Sequence, residues 1–136
     1  MSGATPSVSG TSPIVAVRDV VASVDFYETC LGFERELYNP DYGFALVRRG
    51  NLMISFIKSD DNAALAATAS NVSAQLWMND IADYFNEIKG RFSNHPDLAP
   101  TGPIDREYGV RELQIKDLDG FLMFFTDLKD FTKGAT

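Results

Sequence analysis

The sequence has one cysteine, one histidine, few positive charges and no long apolar run, and each shortage excludes a class of function. A lone cysteine, Cys30, cannot close an internal disulfide, which fits a reducing cytoplasm. Lying late in a helix between Thr29 and Leu31, it is expected to be a buried structural thiol rather than a nucleophile. The lone histidine, His95, sits in the Pro-rich stretch Asn94-His95-Pro96-Asp97 and is expected to face solvent. No Ser-His or Cys-His pair and no Gly-rich phosphate loop is present. Acid–base work by carboxylates alone stays open. Twelve Lys and Arg against nineteen Asp and Glu leave a net charge of −7, which argues against nucleic acid as a partner. The acidic surface either draws a cationic ligand over long range or serves solubility alone. No run reaches the roughly 18 apolar residues of a membrane span. The first 12 residues lack the charged start and apolar core of a signal peptide and read as a mobile arm.

What is present suffices for one domain. The chain has 136 residues, 45% of them hydrophobic and 12% aromatic, enough for a real core. Its pattern runs twice. Ile14–Val17 is a short apolar strand, Asp19 an N-cap, and residues 20–31 a helix with Val20, Val24, Tyr27 and Leu31 on one face. Gly32 stops it. Strands over residues 34–38, 42–48 and 52–57 follow, joined by Asn39-Pro40-Asp41 and Arg49-Gly50-Asn51. A loop-like linker, residues 59–71, carries a helical turn at its Ala-rich centre. Then the order restarts with a strand at 72–78, the N-cap Asp80 and a helix over 81–92. Ser93–Glu107, rich in proline, holds at most one short edge strand. Strands at 110–116 and 121–128 close the second unit around Asp117-Leu118-Asp119-Gly120. The expected organisation is an arm (1–12), a βαβββ module (13–58), the linker, a second βαβββ module (72–128) and a tail (129–136).

Four ordered landmarks now carry a resemblance. They are Val17-Arg18-Asp19 with Ser23-Val24-Asp25-Phe26-Tyr27; Leu31-Gly32-Phe33; Tyr108-Gly109-Val110-Arg111-Glu112; and Asp117-Leu118-Asp119-Gly120. In order and spacing they resemble the glyoxalase/bleomycin-resistance/dioxygenase (vicinal oxygen chelate) superfamily, in particular its bleomycin-resistance branch. The resemblance implies an α+β fold, two βαβββ modules forming a curved mixed sheet around a cavity. It also implies a homodimer, with the first strand and its arm open to swapping. Phe26 and Tyr27 read as core residues, and Asp117 and Asp119 as turn residues rather than catalysts.

Members of that superfamily that do chemistry hold a divalent metal on the concave wall through His, Glu or Gln. Counting from the landmarks, the matching positions here are Ser12 and Ser73 on the opening strands, and Ile54 (or, offset by one, Ser55) and Phe124 on the closing strands. None is a good ligand, so the expectation is a metal-free protein without cofactor. The alternative is a glyoxalase-like lyase, isomerase or dioxygenase with an atypical metal site. A metal-free cavity would be apolar and aromatic. Strand alternation groups Ser73, Gln75 and Trp77 on one face of their strand and Leu122, Phe124 and Thr126 on one face of theirs. The matched ligand positions Ser73 and Phe124 imply that both sets face the cavity; the other reading of Trp77 is that it fills the core between sheet and helix. Tyr42, Phe44 and Ile54 are expected as further walls, with Tyr108 at the mouth. Either Arg111 or Glu112 points inward. The expected ligand is a small aromatic or cationic molecule.

Overall fold

The computed structural model describes residues 5–128. The remainder of the expected arm (residues 1–4) and the tail (129–136) lie outside the described residues. In chain order the elements are β1 (Ile14–Val17), α1 (Val20–Thr29), β2 (Glu34–Asn39), β3 (Phe44–Arg49), β4 (Leu52–Lys58), α2 (Asn62–Asn71), β5 (Ser73–Trp77), α3 (Ile81–Ile88), β6 (Ile104–Asp105), β7 (Arg111–Lys116) and β8 (Leu122–Asp127). Two four-stranded sheets result, ordered β1-β4-β3-β2 and β5-β8-β7-β6. In each, the opening strand pairs parallel with the closing one and the other pairs are antiparallel.

Both caps form as their sequences dictate. Asp19 accepts from the Ala22 N–H and Asp80 from the Asp83 N–H, each satisfying a donor that the first helical turn leaves without a partner. Gly32 follows α1 at φ +75°, where a side chain would be strained and would run into Arg49 and Glu87. Three elements differ from expectation. The linker's Ala-rich stretch is a full ten-residue helix, capped by Asp61 through the N–H groups of Ala63 and Ala64. Helix α3 stops at Ile88, with Lys89 and the poor helix former Gly90 behind it. Strand β3 starts at Phe44 because Pro40 opens a 3-10 turn over Pro40–Tyr42 that Gly43 closes at φ +69°.

The two halves share one core. Tyr27 of α1 packs against Phe56 of β4, and its hydroxyl reaches Met123 Sδ on β8 at 3.5 Å. Tyr84 of α3 stacks on Phe125 of β8 and donates to the Leu31 carbonyl at 2.7 Å. Val15, Val17, Ile54, Phe56, Leu113, Ile115, Met123 and Phe125 line the helix-facing sides of the sheets and are buried. The helices α1 and α3 therefore lie between the sheets, and the other face of each sheet looks outward. Cys30 is buried within this core, its thiol donating to the Arg91 carbonyl at 3.2 Å, and burial pushes its pKa up. It is the structural thiol expected from its position. His95 is half-buried instead of exposed, packed edge-on against Phe26 with ring centroids 5.4 Å apart.

Candidate functional site

The outward face of the second sheet is built by register. Side chains paired across neighbouring strands share a face, which gives three rows: Ser73, Leu122 and Lys116; Gln75, Phe124 and Gln114; Trp77, Thr126 and Glu112. Ile104 extends the third row onto β6. Trp77 is 51% exposed although it is the largest apolar side chain in the protein. A ring of that size left in water on a sheet face offers a flat apolar surface for stacking. Trp77 also forms one wall of a groove of about 640 Å³, closed on its other side by Gly32, Arg48, Arg49 and Leu52.

Of the Arg111-Glu112 pair, Glu112 is the member on this outward face, the one expected to line the cavity. Only 5% exposed, it accepts from Arg106 Nη2 (3.1 Å) and Gln114 Nε2 (2.6 Å) on one oxygen and from the Tyr108 hydroxyl (3.1 Å) on the other. The Arg106 guanidinium holds its carboxyl below the usual carboxylate range, against the opposing effect of burial. Arg111 shares its face with Leu113 and Ile115, the helix side, and bonds Asp105 at 2.7 Å. It does not line the outward face.

Two further expectations are corrected. Ile54 is fully buried among the helix-facing core residues. Ile14 pairs with Ser55 as Gln75 pairs with Phe124, so Ser55 is the counterpart of Phe124, and a one-residue shift moves a side chain to the opposite face. Tyr42 stands on the 3-10 turn, 86% exposed, and not within strand β3. Phe44 does lie on the outward face, but of the first sheet, with Ala16 and Ile57 as neighbours in its row. That face also carries Ile14, Leu37 and Leu46 around Ser55. Gln114 and Arg106 escaped the sequence reading. Gln114 was within reach of it, two residues beyond Glu112 on one strand; Arg106 is brought in only by the turn between β6 and β7.

The superfamily's metal positions do not fit a metal in this chain. Ser12 Oγ and Ser55 Oγ are spent on each other at 3.0 Å, and Ser73 and Phe124 offer one hydroxyl and no donor atom, respectively. Among the described residues no group of three or more His, Cys, Asp or Glu is placed to hold an ion. No helix among them is long and apolar enough to cross a membrane.

No family model matches the chain, and neither does any curated protein sequence. Solved structures do. A bleomycin-binding protein from bleomycin-producing Streptomyces verticillus, complexed with copper(II)-bleomycin, is 25% identical, with a TM-score of 0.71 over 90% of this chain and 98% of that one. A bleomycin resistance determinant encoded on the transposon Tn5 is 23% identical, with a TM-score of 0.72 over 88% and 98%. A glyoxalase/bleomycin resistance protein/dioxygenase from Nocardioides is 18% identical, with a TM-score of 0.64 over 93% and 87%. Together with the paired four-stranded sheets and the ordered landmarks, these likenesses give the chain the fold of the glyoxalase/bleomycin-resistance/dioxygenase superfamily, and within it the chain resembles the bleomycin-resistance branch.

Proposed function

We propose that the chain is a metal-independent small-molecule-binding protein that sequesters an aromatic or cationic compound, with bleomycin-type antibiotics the first candidates. The observation that carries this reading is Trp77, half-exposed on an outward sheet face beside Gln75 and Phe124, with the carboxylate of Glu112 in its own row. A flat ring supplies stacking area and the neighbouring amides fix orientation, the usual division of labour in small-molecule sites. The bleomycin-binding protein of similar fold supports the ligand class. Serines and phenylalanine at the metal positions support metal independence.

An outward sheet face encloses a ligand only when something closes over it. The apolar face of the first sheet, with Ile14 68% and Ile57 49% exposed, is the complementary wall, supplied by a second copy in a homodimer. In such a dimer the segment before β1, held on that face by the Ser12–Ser55 contact, is the part proposed to exchange between copies. Cytoplasmic function agrees with a single free, buried cysteine.

Isothermal calorimetry with metal-free bleomycin, in chelator and alongside sedimentation velocity, tests the reading. The expected result is saturable binding to a dimer at one or two sites per dimer, with quenching of Trp77 fluorescence. No heat and no quenching with bleomycin or with other aromatic antibiotics would reject it. A stoichiometric transition metal found by elemental analysis would reject metal independence.

A further inference from the structure

Glu112 differs from every other acidic side chain on the outward faces in being almost fully buried while charged. A desolvated carboxylate keeps its charge only with a cation or several donors against it. Arg106 supplies the cation, but under constraint. Its Nε is buried with no hydrogen-bond partner, so one donor of the planar fork is left unmatched. The stretch that presents it follows the two-residue strand β6 and is closed by two main-chain bonds, from the Arg106 N–H to the Val110 carbonyl and from the Gly109 N–H to the Arg106 carbonyl. A short ladder of this kind opens easily.

Resting on the small-molecule-binding reading above, we propose that Glu112 selects the charge of the ligand: a cationic head takes the place of the Arg106 guanidinium while the attached flat body stacks on Trp77. Two strand spacings separate Trp77 from Glu112 in their row, roughly 10 Å, the span of an aromatic ring bearing an ammonium or amidinium group. Thr126 lies between them, its hydroxyl turned back to the Phe124 carbonyl at 3.1 Å and so not competing for the ligand. A neutral ligand cannot displace Arg106, because it would leave the buried carboxylate uncompensated. An anion meets both that carboxylate and the net negative surface. Arg106, released, swings toward water, where its side chain is already partly exposed.

The test uses three isosteric probes, benzamidine, benzamide and benzoate, read by fluorescence of Trp77 (the chain's single tryptophan) and by calorimetry. Wild-type protein is expected to bind benzamidine at least tenfold more tightly than benzamide, with no detectable binding of benzoate and with weakening in salt. Glu112→Gln is expected to erase the preference, and Arg106→Gln to tighten benzamidine several-fold by removing the competing cation. Equal binding of benzamidine and benzamide, binding of none of the three, or an Arg106→Gln variant that binds benzamidine no better than wild type each overturns the proposal. The last outcome stands even if Glu112→Gln fails to fold. Bleomycin titrated into the same samples separates the two readings: bleomycin bound without charge preference among the probes rejects the role of Glu112 and leaves the binding function intact.

Discussion

The two halves repeat one strand order and present opposite outward faces. The first sheet shows Ile14, Leu37, Phe44, Leu46 and Ile57 around Ser55, with Arg48 at one end, a largely apolar surface; the second mixes Trp77, Leu122 and Phe124 with Ser73, Gln75, Thr126, Glu112, Gln114 and Lys116. On their helix-facing sides the sheets are alike, both carrying branched and aromatic residues that are fully buried. Folding governs the inner faces, since both must fill the same core at close-packed density. The outer faces are free of that demand and diverge, and it is on them that the proposed function places the ligand and the second copy.

The largest expected effect tests the shared core. Phe56→Ala in the first half and Phe125→Ala in the second should each cost about 3–5 kcal/mol, because each removes a buried ring and leaves a cavity. Both variants should still unfold in a single denaturant transition, followed by circular dichroism. Two transitions, only one of them displaced, would show that the halves are independent.

A smaller effect distinguishes the closing hairpins. In the first half the turn Gly50-Asn51 carries no carboxylate. In the second, Asp117 is buried, accepts from the Asp119 and Phe121 N–H groups and from the Tyr27 hydroxyl at 2.8 Å, and is pushed by burial from 3.8 up to about 6. A folded-state value above the unfolded one means that the native protein holds this proton more tightly. The contribution of Asp117 is therefore most favourable below about pH 4 and is lost as pH rises through about 6, by roughly 2–4 kcal/mol. Asp117→Asn should flatten that part of the stability profile, measured by urea unfolding between pH 4 and 7. An unchanged slope would remove Asp117 as its source.

The smallest effects on folding belong to the outward faces. Ile57→Asp and Trp77→Ala should each change the stability of the monomer by less than about 1 kcal/mol. They should part company elsewhere: Ile57→Asp weakens self-association in sedimentation, and Trp77→Ala abolishes ligand binding in calorimetry. Identical behaviour in both assays would erase the contrast between the faces.

The sequence alone determined the repeat, both aspartate caps, the helix stop at Gly32 and which residues within β5 and within β8 share a face, because these follow from local hydrogen bonding and from the period-two alternation of a strand. The resemblance, through the slots of Ser73 and Phe124, suggested that Trp77 and Phe124 share a face, and the β5–β8 register brings them together. Tertiary structure decided the rest. Ile54 and Ser55 differ by one residue, and only pairing with β1 settles which faces outward. Arg111 and Glu112 likewise exchange faces with register, and the partners of Glu112 come from a turn whose path no local signal encodes. The Ala-rich segment gave a weak helix signal that its Asp61 cap and its packing beside β1 turn into a full helix. That both outward faces stand open is a consequence of helices shared between sheets, a long-range arrangement that no window of sequence contains.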